Sequence, residues 1–263
     1  MNLLIASGFK GAATKLQAGQ VTAGAKRIGC EEAVVRAFLS VESSGSGFDA
    51  AGRPKILFEP HVMFRNLLSN EVALAAAVKA GVAYPRQGMR PYLVGSDANY
   101  ARLVLAMGID TDAALKAVSW GMGQVLGENY KLCGFTSVTE MVVAAMTGEG
   151  AHLDMMLSYI EHDGLVPAMR QKSWTTLAQG YNGNGAVLAY AAKLQAAYVK
   201  FASGQAFTAP APAPAPAAKP IAFAAPKMAV LQPKGVSPDL FPAEVGSDAL
   251  NDAEWLRIRS GNP

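Results

Sequence analysis

Residues Phe38 to Arg65 read FLSVESSGSGFDAAGRPKILFEPHVMFR, and their pattern is the strongest guide to the fold. A helix predicted over Glu31–Ser40 overlaps the start of this stretch. It carries one apolar stripe, formed by Val34, Val35, Phe38 and Leu39. The serine- and glycine-rich residues 43–47 end this helix. Glu42 therefore stands at the junction between a helix with an apolar face and a loop.

The chemistry open to Glu42 depends on its apolar neighbours. A carboxyl group that is removed from water has a raised pKa, which keeps it protonated and able to act as a general acid near neutral pH. The alternative is a solvated glutamate at a helix end, and the spacing of the residues by itself favours that alternative.

Two further acids follow Glu42 in the same stretch. Glu59 comes after the apolar run Ile56–Phe58, which is either a short strand or the start of the next helix. It can serve as a buried ion-pair partner of Arg65 or as a second carboxylate that faces Glu42. Asp49, the third acid of the stretch, is the other candidate for the second carboxylate. A pair of facing carboxylates is what cleavage of a glycosidic bond requires.

Two glycine-rich segments lie further along the chain. The segment SWGMGQ, residues 119–124, is predicted to be a turn between two apolar helices, and it offers the amide of Gln124. The segment GYNGNG, residues 180–185, is predicted to be a loop that offers the hydroxyl of Tyr181 and the amide of Asn182. Glycine permits close approach of a ligand to the backbone. Each segment taken alone is more simply explained as punctuation between helices.

Helical periodicity dominates the first 205 residues. Further helices are predicted over His61–Leu68, Glu71–Ala80, Ser96–Met107, Thr111–Ser119, Thr139–Thr147, His152–Glu161, Trp174–Gln179 and Val187–Phe201. Long loops are expected at 43–56, 81–95 and 180–186. The fold class predicted for residues 1–205 is therefore a mainly α domain.

The composition changes sharply after residue 205. Residues 208–220 read TAPAPAPAPAAKP, and alternating Ala-Pro disfavours a helix, so residues 206–220 are predicted to be an extended linker. Residues 221–263 are broken by prolines and are too few to bury a core of their own. They are expected to form a tail or docking segment, with one short helix over Ser247–Arg259.

Charge and motif spacing argue against several classes of function. The formal net charge is only +3 and no basic stripe occurs, so nucleic-acid binding is not expected. No pair among the three histidines has the spacing of a helical zinc site, and His152 is expected on a solvated face. No phosphate-binding loop and no Gly-x-Ser-x-Gly elbow occurs, so no metal and no cofactor are expected. Cys30 and Cys133 are expected to be small buried residues, and a single bridge between them is left open.

The N-terminal residues lack the basic region and the long apolar run of a signal peptide. No window of the sequence approaches the roughly 18 apolar residues of a membrane helix. We therefore expect a chain made in the cytoplasm without an export signal and without a transmembrane segment.

Three segments in a fixed order carry a resemblance to a known family. The stretch quoted above, then SWGMGQVLG, then WTTLAQGYNGNG followed by YAAKLQAAY, resembles the phage endolysin N-acetylmuramidase family over roughly residues 25–201. More remotely, the chain resembles goose-type lysozymes and soluble lytic transglycosylases. The resemblance implies a lysozyme-like helical domain with a cleft.

The resemblance also implies roles for particular residues. Glu42 matches the family's catalytic acid, and Glu59 matches the acid of its Phe-Glu-x-His motif. The chain departs from the relatives at Gly123 and Gly180, which replace Met and Ala in the two glycine-rich segments. The substrate-binding residues implied by those segments are Gln124, Tyr181 and Asn182.

The activity implied by the resemblance is cleavage of the β-1,4 bond between N-acetylmuramic acid and N-acetylglucosamine, for lysis or penetration of the host wall by a phage. Two alternatives stay open. One is a lytic transglycosylase that forms anhydro-muramic ends. The other is a virion component whose residues 206–263 anchor a lysozyme-like domain to tail or baseplate proteins. The expected partner is the peptidoglycan of the bacterial cell wall.

Overall fold

The computed structural model describes residues 2–42, 46–183 and 186–204. The predicted linker (206–220) and the predicted tail (221–263), with its helix over Ser247–Arg259, lie outside the described residues. The boundary near residue 205 therefore stays a prediction.

Helices make up most of the described residues, which confirms the mainly α class. The twelve α-helices described are α1 (Leu3–Ala6), α2 (Ala18–Ile28), α3 (Glu32–Glu42), α4 (Pro60–Asn66), α5 (Glu71–Lys79), α6 (Ser96–Met107), α7 (Thr111–Lys116), α8 (Val138–Thr147), α9 (Glu149–His162), α10 (Val166–Gln171), α11 (Trp174–Asn182) and α12 (Val187–Ala202). Within the described ranges, no helix has both the length and the apolar character that crossing a membrane requires.

Three short strands form one antiparallel sheet in the order β1 (Ile56–Phe58), β2 (Val118–Trp120) and β3 (Val125–Leu126). Every residue of these strands is buried. The apolar run Ile56–Phe58 is thus a strand. The predicted helix Thr111–Ser119 is wrong in its last residues, because α7 ends at Lys116 and the chain then pairs with β1.

Helix α3 has the buried stripe that its sequence predicts, formed by Val34, Val35, Ala37, Phe38 and Leu39. It packs against α12 and α2. Burial of each large apolar side chain contributes about 1.5–3 kcal/mol, so this stripe fixes the helix firmly in the core. The position of Glu42, the last residue of α3, is fixed with it.

Candidate active site

Glu42 lies partly buried at the C-terminal end of α3, and its Oε1 atom is shielded from solvent. Tyr181 is close to it. Burial raises the pKa of the Tyr181 hydroxyl well above its ordinary value, and the charge of Glu42 raises that pKa further. The structure therefore brings together two residues that the sequence marks as site candidates.

Tyr181 joins three parts of the fold. Its fully buried ring meets Phe38 of α3 edge-on, with 4.6 Å between centroids, and meets Tyr159 of α9 edge-on at 5.7 Å. Its hydroxyl donates a hydrogen bond to the carbonyl oxygen of Gly123, at 3.2 Å. Tyr181 thus links the helix that ends in Glu42 to the glycine-rich turn before β3.

The predicted loop 180–186 is partly wrong, because Gly180, Tyr181 and Asn182 form the last turn of α11. The side chain of Asn182 lies outside the described part of the chain, so its role as a substrate contact stays a prediction. Gly180 is needed for packing, since a Cβ there would lie 2.3 Å from Cδ2 of Leu165.

The glycine-rich turn around Gln124 joins β2 to β3 rather than two helices, which corrects the prediction. Gly121 and Gln124 both have left-handed backbones, with φ of +69° and +50°. Gln124 is only 5% exposed, and its Nε2 donates to the carbonyls of Gly121 (2.8 Å) and Lys55 (3.2 Å). Its buried Oε1 has no hydrogen-bond partner among the described residues. The Nε2 end of the amide thus holds the shape of the turn, and the Oε1 end can still accept a hydrogen bond.

Glu59 is 3% exposed and accepts hydrogen bonds from Ser119 Oγ, at 2.9 Å, and from the Tyr92 hydroxyl, at 3.3 Å. Burial raises its pKa to about 7. The expected ion pair between Glu59 and Arg65 is wrong, since Arg65 pairs with Glu128. Glu59 is therefore a buried carboxyl group that exchanges its proton near neutral pH.

Glu59 and the turn around Gln124 lie at opposite ends of β1. The Gly121 N–H donates to the carbonyl of Lys55 before the strand, and the Glu59 N–H donates to the carbonyl of Ala117 after it, both at 2.8 Å. Four residues of extended chain span roughly 13 Å. The side chains that donate hydrogen bonds to Glu59 are Ser119 and Tyr92. They differ from the groups that bond to the turn around Gln124.

The third candidate acid, Asp49, is used within its own loop. It accepts hydrogen bonds from the backbone N–H groups of Ala51 and Arg53, both at 2.9 Å, and it forms an ion pair with the Arg53 side chain at 2.7 Å. Cys30 and Cys133 are both free thiols. Cys133 lies near Tyr181, since a charge on its thiol would raise the pKa of the Tyr181 hydroxyl further.

His152 is 1% exposed, so the expectation of a solvated face is wrong. Burial lowers its pKa to about 4. Among the residues the structure describes, no three His, Cys, Asp or Glu side chains are grouped so that they could hold a metal ion. His152 instead contacts the backbone of the turn around Gln124, at Met122.

A model of the N-acetylmuramidase family matches residues 31–202, which is more than half of the chain. The chain belongs to the N-acetylmuramidase family. The matched segment of this muramidase runs from the start of α3 to the end of α12. It therefore contains every residue of the candidate site.

One solved structure similar to this muramidase is the crystal structure of the Burkholderia AP3 phage endolysin. The two share 33% sequence identity with a TM-score of 0.67, and the match covers 76% of each chain. No curated protein matches this muramidase. The resemblance to phage endolysins, and the lysozyme-like helical fold expected from it, are thus confirmed.

Sequence reasoning gave no role in the site of this muramidase to Glu149 and His152. These residues contact the chain segments on either side of the site. They are three positions apart on α9 and so lie on one face of that helix. That spacing is the one signal in the sequence that groups them.

Proposed function

We propose that this muramidase hydrolyses the β-1,4 bond between N-acetylmuramic acid and N-acetylglucosamine in peptidoglycan, with Glu42 as the proton donor. Family membership supports a peptidoglycan-degrading enzyme, and the similarity to an AP3 phage endolysin supports a role in lysis of a bacterial wall by a phage. The observation that carries the role of Glu42 is its place at the end of α3, beside Tyr181, with one carboxyl oxygen shielded from water.

In the proposed reaction Glu42 protonates the leaving glycosidic oxygen, and water attacks the anomeric carbon of the oxocarbenium-like transition state. Tyr181 holds the turn around Gln124 close to Glu42 through its bond to Gly123. Gln124 is proposed as a substrate-binding residue, as its match to the family's glutamine implies. Asn182 is proposed as a further substrate contact.

We propose Glu59 as the second carboxylate, acting through water. In inverting glycosidases the two carboxyl groups stand about 6.5–9.5 Å apart to leave room for that water. A second carboxylate of this kind acts through water and does not contact the first. A pKa of about 7 further suits a group that takes a proton from water near neutral pH.

A lytic transglycosylase is the second candidate, and one observation favours it: both oxygens of Glu59 already accept hydrogen bonds from Ser119 and Tyr92. Without a second carboxylate, Glu42 is left ionised after it protonates the leaving oxygen, and it takes the proton of a hydroxyl of the same muramic acid as that oxygen attacks the anomeric carbon and forms an anhydro end. Mass spectrometry of digested sacculi separates the two reactions, because an anhydro end is one water lighter than a reducing end. Reducing ends support the hydrolase, and anhydro ends support the transglycosylase.

The Glu59→Gln variant tests both the chemistry and the burial of this carboxyl group. The folded-state pKa of about 7 exceeds the ordinary value of 4.5, so the folded protein holds the proton more tightly. The stability that this adds is full below pH 4.5 and is lost as the pH rises to 7. One pKa unit corresponds to about 1.4 kcal/mol. As the pH rises from 4.5 to 7, we therefore expect the free energy of unfolding of the wild type to fall by roughly 3 kcal/mol relative to that of the variant, measured by urea unfolding.

The same variant is expected to release reducing ends about 10²-fold more slowly, because positioned general-base catalysis is lost. The pH series of unfolding curves is its internal control, since it shows whether the variant folds. Hydrolysis at the wild-type rate would reduce Glu59 to a structural acceptor for Ser119 and Tyr92.

The segment after residue 205 is proposed to dock the domain to phage tail or baseplate proteins. The last described helix ends at Ala202, so a chain stopped after residue 205 is expected to keep its thermal midpoint and its rate of glycan cleavage. The measurement compares both quantities with the full chain and adds immunoblotting of purified particles. Loss of cleavage on truncation would contradict the domain boundary, and particles without the full chain would contradict the docking role.

A further inference from the structure

The first turn of α9 contacts two separate parts of the chain that flank the proposed site. Glu149 and His152 are 5% and 1% exposed, and both side chains reach away from α9 to loop backbone. Neither residue has a part in the proton transfers proposed above.

Glu149 binds Ser46 and Gly47, which are the first described residues after Glu42 in the chain. Its Oε1 accepts hydrogen bonds from the backbone N–H of Gly47, at 2.9 Å, and from Ser46 Oγ, at 3.0 Å. Its Oε2 accepts from the backbone N–H of Leu16, at 2.9 Å. The carboxylate thus holds the chain in place at Ser46 and Gly47.

The imidazole of His152 lies between that segment and the turn around Gln124. A Cβ added at Gly47 would be 2.3 Å from Nδ1, and one added at Gly121 would be 2.5 Å from Cδ2. Gly47 and Gly121, from distant parts of the chain, therefore both pack against the same ring. The ring thus packs against both parts.

The hydrogen bonds of His152 fix the orientation of the ring. The backbone N–H of Met122 can only donate, so Nδ1 accepts its hydrogen bond, at 3.2 Å. The proton of the neutral ring is then on Nε2, which donates to the carbonyl of Ala145 at 2.8 Å. His152 thus ties the turn to α8.

We infer that Glu149 and His152 are positioning residues that set the distance between Glu42 and the turn around Gln124. The inference rests on the proposed role of Glu42. Reacting groups displaced by about 1 Å cost as much as 10²-fold in rate, so the hydrogen bonds by which Glu149 and His152 hold the two parts act on kcat without touching the sugar.

Two variants of the full chain separate the hydrogen bond from the volume of the ring. In His152→Asn, Oδ1 takes the place of Nδ1 and still accepts from Met122. In His152→Gln, the side-chain amide nitrogen takes the place of Nε2 and still donates to Ala145, but no acceptor faces Met122. Asparagine is the smaller residue, so loss of volume alone predicts the larger defect in His152→Asn, which is the opposite order.

We expect His152→Asn to keep kcat on purified peptidoglycan within about threefold. For His152→Gln we expect kcat to fall roughly 10- to 100-fold, with KM within about threefold. Hydrogen exchange of the Met122 amide, followed by NMR, should remain slow in the wild type and in His152→Asn and become fast in His152→Gln.

The inference is overturned if His152→Gln keeps the wild-type kcat, or if the kcat values of the two variants fall in the order of lost volume. The exchange measurement does not depend on activity. If the wild type cleaves no glycan, the proposed function fails, while exchange at Met122 still decides whether His152 holds the turn. If the wild type cleaves glycan and Glu42→Gln cleaves it equally fast, the proposed role of Glu42 fails. The hydrogen bond between His152 and Met122 is then still tested by the exchange measurement.

Discussion

A Glu42→Gln variant is expected to fold normally and to cleave peptidoglycan roughly 10²–10⁴-fold more slowly than the wild type. Glutamine keeps the shape of the side chain at the end of α3 but has no acidic proton to give to the leaving oxygen. The measurement is release of reducing ends from purified peptidoglycan, with thermal unfolding in parallel.

The matched control for that variant is Glu71→Gln, which changes an exposed glutamate in the first turn of α5. Its rate is expected to equal that of the wild type. Wild-type cleavage by Glu42→Gln would remove Glu42 as the proton donor, whatever the products prove to be.

Gly121→Ala is expected to lower the free energy of unfolding by about 2–5 kcal/mol. Its backbone φ of +69° costs an L-residue about 1–2 kcal/mol. The new Cβ would also lie 2.5–2.6 Å from three atoms of the His152 ring, and crowding of a packed core costs about 1–3 kcal/mol. The ring cannot turn aside without losing its bonds to Met122 and Ala145. Urea unfolding measures the loss.

The control for Gly121→Ala is Gly52→Ala. Gly52 has a similar φ of +78°, but nothing lies within 4 Å of an added Cβ. This control therefore bears the backbone strain alone, about 1–2 kcal/mol. An equal loss in the two variants would show that the His152 ring does not pack against Gly121.

The sequence predicts α3 well because the information is local. Its apolar stripe repeats with the helical period, and the observed helix, Glu32–Glu42, begins one residue after the predicted start and ends two residues beyond the predicted end. The strand β2 is different. A run as short as Val118–Trp120 has no period that separates strand from helix, and its partner β1 is far away in the chain.

The site is harder to predict for the same reason. Glu42 and Tyr181 belong to motifs that a resemblance detects, but Gly180 looks like a helix breaker until Leu165 is seen packed against it. The burial of His152 depends on Gly47, Met122 and Ala145, which come from three separate segments. No local pattern around His152 carries that information.

The packing of α3 against α12 has a consequence for synthesis. The ribosome makes α3 early and α12 last among the described helices, so the apolar stripe of α3 cannot be fully covered until residues 187–202 have emerged. The helix that ends in Glu42 therefore takes its final place only when translation of the domain is nearly complete. A nascent chain interrupted before that point would lack the support that holds Glu42 in position.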